Sequence, residues 1–367
     1  MTDVPTAASH TYPCGGCGAR VQFAPGTNTM QCPYCGFTQE ITQGDRQVRE
    51  IAFAELGHLP RKPVGTIGAY TLVCQRCAAR TETNDVASSC QFCGSPLVVD
   101  GAATGQVMPE AVLPFMLDRT AMREALGKWT SSRWFAPSAL KKVREAESTK
   151  GTYVPHWTFD SQTFSDYVGQ RGEHYYTTEH YTDSDGNRRT RQVRHTRWHA
   201  ASGSVERFFD DLLIPASLAL PPKRLHDLEP WPLHDGTPYQ PQYLSGYTAL
   251  RYDVEPEDGF ATARTEMATV IHQDVERDIG GDEQRVQDVR TRHDNVTFKL
   301  MLLPVWIATY LHDGKAWQIL VNGRTGEIHG ERPYSKLKIA LTILLVLAII
   351  AAIIIWIVVS KQPPAPR

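Results

Sequence analysis

The 367-residue sequence carries no cysteine outside two compact groups, no glycine-rich phosphate loop, almost no net charge and only one long uncharged run. Each absence removes a class of function. Lys and Arg number 38 against 40 Asp and Glu, a formal charge of −2, so no global positive field draws in nucleic acid. Gly127-Lys128 and Gly314-Lys315 lack both the leading glycine and the following Ser or Thr of a phosphate loop. There is no G-x-S-x-G turn, and with every cysteine placed in the two groups no thiol nucleophile remains. The opening residues, MTDVPTAASHTYPCG, have neither a basic stretch nor an apolar core, so no signal peptide is expected. Enzymatic activity has no positive support.

What is present begins with the cysteines. Cys14-Gly-Gly-Cys17 is followed after fourteen residues by Cys32-Pro-Tyr-Cys35, and Cys74-Gln-Arg-Cys77 after twelve by Cys90-Gln-Phe-Cys93. This is zinc-ribbon spacing: each C-x2-C knuckle turns two thiolates toward one ion, and four close a tetrahedron. Gly18, Gly36 and Gly94 let the backbone turn beneath the sulfurs. Four thiolates leave no open position, so two structural Zn2+ ions are expected rather than catalytic ones. A disulfide framework suits small secreted chains and not a cytoplasmic one. Spacing leaves open whether ligands pair sequentially or exchange between modules. Ribbon 1 (residues 11–42) and ribbon 2 (70–100), joined by a linker (43–69), are each too small to bury a core, so metal should supply most of their folding energy. Ribbon 1 has Arg20 against Glu40, and ribbon 2 has Arg76 and Arg80 against Glu82, Asp85 and Asp100. Nucleic acid is therefore not the expected partner.

Residues 339–359, IALTILLVLAIIAAIIIWIVV, carry no charge. As a helix they span about 31 Å, close to the ~30 Å hydrocarbon core of a bilayer. Thr342 can bond back to its own helix, while Tyr334, Lys336 and Lys338 on one side and Trp356 and Lys361 on the other are suited to the interfaces. A short tail (360–367) with Pro363, Pro364 and Pro366 follows. By contrast LMLLPVWIATYL (300–311) is too short for a span and reads as a buried strand. The expectation is a single-pass, tail-anchored protein of the inner (cytoplasmic) membrane, its bulk in the cytoplasm and the lipid bilayer its first partner.

Residues 105–335 are long enough for a sizeable core, in one domain or in two lobes at about 105–220 and 240–335. Asp118 can cap a helix running to about Trp129, and 138–148 reads as a second helix. YVPHWTFD (153–160) reads as a strand leading, through a turn at 183–187, into RRTRQVRHTRWHA. Phe260, Ala263, Met267, Val270, Ile271 and Val275 mark an amphipathic helix from Glu257 to Gly280. A strand at 302–310, then turns at Asp313-Gly314 and Asn322-Gly323, repeat the order. Leu303-Pro304-Val305-Trp306 echoes Val154-Pro155-His156-Trp157, which suggests an internal duplication. The fold class is α+β, with antiparallel meanders packed by amphipathic helices.

Two constellations invite chemistry. Arg189, Arg191, Arg194 and Arg197 crowd one strand with Arg188, either as a contact for an anionic ligand or lipid headgroups, or as cross-strand partners of Glu173, Glu179, Asp183 and Asp185. The near cancellation of charge over 161–202 favours pairing. His174, His180, His195 and His199 have no carboxylate at ligand-like spacing and read as solvated hairpin histidines.

The stretches GTYVPHWTFDSQTFSDYVGQRGEHYY, RRTRQVRHTRWHAASGSVERFFDDLLIPAS and LLPVWIATYLHDGKAWQILVNGRTGEIHGERPYSKLKI resemble a bacterial family of zinc-ribbon proteins with a C-terminal span, related to the YdjG protein of bacilli. Members often carry the label of the primosomal helicase PriA because of their eight cysteines; without a nucleotide-binding loop this chain departs from a helicase. The resemblance implies a non-enzymatic membrane adaptor that recruits SPFH (flotillin-like) or PspA-like membrane-stress proteins. Homo-oligomerisation stays open.

Overall fold

The computed structural model describes residues 12–42, 44–61, 70–83, 89–100, 106–133, 149–182, 184, 186–312, 315–330 and 335–360. The helix expected at 138–148, the turn residues Asp183, Asp185, Asp313 and Gly314, and Lys361 lie outside them.

The first ribbon is a three-stranded antiparallel sheet of β1 (Gln22–Ala24), β2 (Thr29–Gln31) and β3 (Thr38–Glu40). Next come β4 (Ile51–Ala52), then β5 (Tyr70–Cys74), β6 (Arg80–Thr83) and β7 (Leu97–Val99) of the second ribbon, and β8 (Ala111–Val112). Helix α1 (Arg119–Ser131) opens where Asp118 accepts from the amide of Ala121 at 2.7 Å, an N-cap. Two very long strands, β9 (Lys150–Thr182) and β10 (Arg188–Pro215), form a hairpin. The short helix α2 (Pro222–His226), β11 (Thr237–Pro238) and β12 (Thr248–Leu250) lead to helix α3 (Pro256–Ile279). β13 (Glu283–His312), β14 (Lys315–Asn322), β15 (Ile328–Gly330) and helix α4 (Lys336–Ser360) complete the chain. The architecture is mixed α+β, as the patterning predicts.

The repeated Pro-x-Trp segments lie side by side. β9 and β13 are antiparallel neighbours, and Val154, first residue of one motif, faces Leu303, first residue of the other. β8 joins β13 in parallel (Ala111 opposite Met301), while β12 joins β9 in parallel (Thr248 opposite Thr152). The two halves are thus related by a local two-fold passing between Val154 and Leu303. This pairing also replaces the two-lobe expectation: the halves share one sheet, because an isolated half would leave the apolar edge of its central strand unpaired.

Residues 44–61 are likewise not a free linker. β4 pairs with β13 at Thr297 and Phe298, and Phe53 packs on Phe260 (4.8 Å), Phe298 (5.7 Å) and Phe159 (6.3 Å). Helix α3 buries Ala263, Met267, Ile271, Val275 and Ile279, one residue per turn, against the sheet. It ends at Gly280, whose φ of 64° favours glycine.

β13 reaches only as far as Gly172 on β9. Beyond that level, residues 173–182 and 188–197 continue as a two-stranded arm. Helix α4 lies at the other end of the strand path, after β14 and β15 have folded back on β13. Its stretch Lys338–Trp356 is long and apolar enough to cross a membrane, and none of that surface is buried in the molecule. Thr342 bonds back to the Lys338 carbonyl at 2.8 Å, as expected of a hydroxyl in an apolar helix.

Candidate metal centres

All four knuckles adopt one backbone form. The amide four residues after the first cysteine returns to that cysteine's carbonyl: Gly18 to Cys14 (2.9 Å), Gly36 to Cys32 (3.0 Å), Ala78 to Cys74 (2.9 Å) and Gly94 to Cys90 (2.9 Å). Each of those residues has positive φ, from 58° at Ala78 to 73° at Gly18 and Gly36. Three are the glycines read from the sequence. Ala78 was missed, since nothing about an alanine signals a left-handed turn.

The turns gather the sulfurs sequentially, Cys14, Cys17, Cys32 and Cys35 in one group and Cys74, Cys77, Cys90 and Cys93 in the other, which settles the pairing left open by spacing. Separations are 3.4 Å (Cys14–Cys35), 3.6 Å (Cys17–Cys32), 3.4 Å (Cys74–Cys93), 3.5 Å (Cys77–Cys90) and 3.8 Å (Cys77–Cys93). A tetrahedron with arms of about 2.3 Å has edges of about 3.8 Å, so the sulfurs can hold one thiolate-binding metal ion per group. They are far beyond the ~2.05 Å of a disulfide. Amides of Gly16 and Phe92 point at the Cys14 and Cys90 sulfurs (3.3 and 3.4 Å). The Cys35 amide leads the causes that draw the Cys32 thiol down to about 6. Such donors favour the thiolate, while burial opposes them and prevails at Cys90 and at Cys77, whose thiol it pushes up to about 11.

Burial alternates within each knuckle. Cys14, Cys32, Cys74 and Cys90 are buried, whereas Cys17, Cys35 and Cys77 are exposed and Cys93 is intermediate. The buried set belongs to the body's own core: Cys14 and Cys32 join Phe115, Tyr153 and Trp306, and Cys74 and Cys90 join Leu113, Val154 and Leu303. Ribbon 1 docks through the Phe23 amide on the Ser245 carbonyl (2.9 Å) and the Tyr243 hydroxyl on Asn28 (2.7 Å). Ribbon 2 enters the main sheet, β6 pairing with β12, and Gln318 and Thr309 donate to the carbonyls of Phe92 and Gln91 (2.8 and 2.6 Å). Neither is an isolated bead on a linker.

Over 331 residues the chain is 24% identical to the uncharacterized protein YdjG of Bacillus subtilis (strain 168), covering 90% of this chain and 92% of the relative. No family model matches it, and no solved structure does. A likeness of that length takes in most of the body.

The arginines lie on the arm. Arg189, Arg191 and Arg197 share one face with His195, and Arg194 points to the other. Arg191 reaches Glu179, directly opposite on β9, at 3.0 Å, and Arg197 lies over the Tyr175 ring at 5.0 Å. The histidines diverge. His174 bonds Glu283 (2.8 Å), His195 bonds Thr177 (2.8 Å) and stacks on Tyr175, and His199 faces Glu173 (3.8 Å). Among the described residues the two four-cysteine groups are the only clusters able to hold a metal ion. Of the anchor flanks, Lys338 and Trp356 fall within α4, as does Lys336 by its backbone.

Proposed function

We propose that the protein is a non-enzymatic adaptor, stiffened by two structural Zn2+ ions and anchored by α4 in the inner membrane with its body in the cytoplasm. The observation that carries the reading is the pairing of two closed four-sulfur sites with an apolar helix that finds no cover in the fold. Four sulfurs in a tetrahedron suit zinc, and leave no position for substrate or water. Free thiols at this density suit a reducing compartment. An unburied apolar helix of this length is stable in a bilayer and an aggregation hazard outside one.

The arm bears on the partner. The arm tip lies about thirty residues of β9 beyond the level from which β15 and α4 depart, on the order of 100 Å along the sheet. Arg191 and Arg197 are already engaged, by Glu179 and by the Tyr175 ring, which favours a protein partner over lipid headgroups for the arm. The family resemblance supplies the class: SPFH or PspA-like membrane-associated proteins.

The test is affinity capture of the intact chain from native membranes after cross-linking. The reading expects an SPFH or PspA-like protein, lost on removal of the arm residues 173–197. Recovery of the chain in the soluble fraction, or cleavage of its body by protease added outside intact cells, would refute it. Elemental analysis should return two zinc ions per chain.

A further inference from the structure

β10 is an edge strand of unusual length. Among the described residues it pairs with β9 alone, and its register runs without a bulge from Arg188 to Phe209. Strands average about five to six residues, and exposed edges are normally shortened, bulged or blocked by charge and proline. Here residues 198–205, Trp-His-Ala-Ala-Ser-Gly-Ser-Val, carry no Asp, Glu, Lys or Arg and no proline. Ala200, Ser202, Gly203 and Ser204 are small and exposed, so a second backbone can approach closely.

Charge on the two sides of this window is opposite. Residues 188–197 hold five arginines and no acid, while Glu206, Asp210 and Asp211 outweigh Arg207 on the far side. Arg207 and Asp211 are already committed, to Asp274 and Lys299. Arg194 and Glu206 are exposed and lie on the face away from α3, because Ala201, Val205 and Phe209 alternate with them and pack under that helix.

We propose that β10 pairs antiparallel with β10 of a second copy, centred on Ala200, to make a two-fold dimer with a continuous sheet. In that register Arg194 faces Glu206 of the second copy, and symmetry repeats the contact. Within the unbroken stretch no arginine directly faces another. A shift of two residues one way sets Arg191 opposite Arg207. A shift of four the other way sets Arg197 opposite Arg207. A shift of two the other way sets no arginine against another but loses both Arg194–Glu206 contacts, so the charge pattern favours the register centred on Ala200. Antiparallel pairing runs the two strand paths in opposite directions, so the α4 helices leave the joined sheet at its two ends and enter one bilayer with the sheet lying along the membrane plane. Dimerisation does not depend on the adaptor role, and either can fail alone.

The test uses the full-length chain in detergent, with mass from light scattering corrected for bound detergent. A dimer is expected, its dissociation constant weakened about ten-fold or more by Arg194→Glu or by Glu206→Arg, since each reversal sets two like-charge pairs across the axis. The double reversal should restore it. A photo-cross-linking amino acid in place of Ala200 should join two copies of the same chain. Unchanged metal stoichiometry identifies variants that remain folded. A monomer at roughly 10 µM, a dimer indifferent to both reversals, or cross-links from position 200 only to another polypeptide would overturn the proposal.

Discussion

Trp157 and Trp306 make the same bond to opposite halves of the chain. The Trp157 indole donates to the carbonyl of Val254 (2.8 Å), one residue before the Glu255 N-cap of α3; the Trp306 indole donates to Leu117 (3.1 Å), one residue before the Asp118 N-cap of α1. Tyr252 packs on the first tryptophan and Phe115 on the second, each pair with centroids 5.2 Å apart. The motif tryptophans thus fix the start of each other's helices across the local two-fold.

Replacing either indole by a phenyl ring leaves a part-buried carbonyl without its donor. Trp157→Phe and Trp306→Phe should each lower the unfolding free energy by about 1–3 kcal/mol, read by denaturant titration. The two losses should be of similar size. If one position proves neutral, the shared role is wrong.

Ala78 occupies a turn that glycine fills at the other three knuckles. A left-handed alanine costs about 1–2 kcal/mol, against about 0.5–1 kcal/mol for the added freedom of an unfolded glycine. Ala78→Gly should therefore raise stability slightly and Gly18→Ala, Gly36→Ala and Gly94→Ala should each lower it. Nothing lies within 4 Å of a Cβ placed at those three glycines, so their loss reports backbone strain alone. Competition with a chelator for the bound metal measures the ranking.

Arg251 donates to Glu82 at 3.2 Å, with side-chain exposures of 5% and 4%. The pair ties ribbon 2 to β12. Arg251→Met takes a buried countercharge from Glu82 and should cost about 3–5 kcal/mol, whereas adding Glu82→Leu should recover most of the loss. A double mutant as unstable as the single would show that the arginine acts through packing instead.

His156 is buried beside Val154, whose carbonyl accepts from its Nδ1 at 3.0 Å. Burial pushes its pKa from 6.5 down to about 4. The unfolded chain then binds the proton more readily, so the stability contributed by neutral His156 is complete above pH 6.5 and lost as pH falls toward 4. Over that window it amounts to about 3 kcal/mol. His156→Gln should flatten the acid limb of stability against pH; metal release, common to both proteins, cancels in the difference. An unchanged slope would exclude the histidine as its source.

Much of this was readable in the chain because it depends on short-range spacing. The C-x2-C pairs name their own sulfurs, Asp118 announces α1, and one apolar residue per turn from Ala263 to Ile279 announces α3. The arm arginines could be placed on a strand, and the opposite-strand partner Glu179 was among those anticipated for Arg191. Ala78 was not foreseeable, because its conformation is imposed by the metal turn against its own preference.

The sequence alone determined which eight cysteines are the candidate metal ligands, where α1 and α3 run, and that one apolar stretch is long enough to span a bilayer; how the cysteines group was left to the fold. These follow from local chemistry, where the reach of a side chain or the period of an element is enough. Only the tertiary structure decided that the ribbons and residues 44–61 are built into the body, and that the two halves share a sheet about Val154 and Leu303. The same holds for β10, left as a long edge. Strand pairing joins residues more than a hundred positions apart through backbone groups common to every amino acid, so side-chain order carries no direct record of the partner chosen.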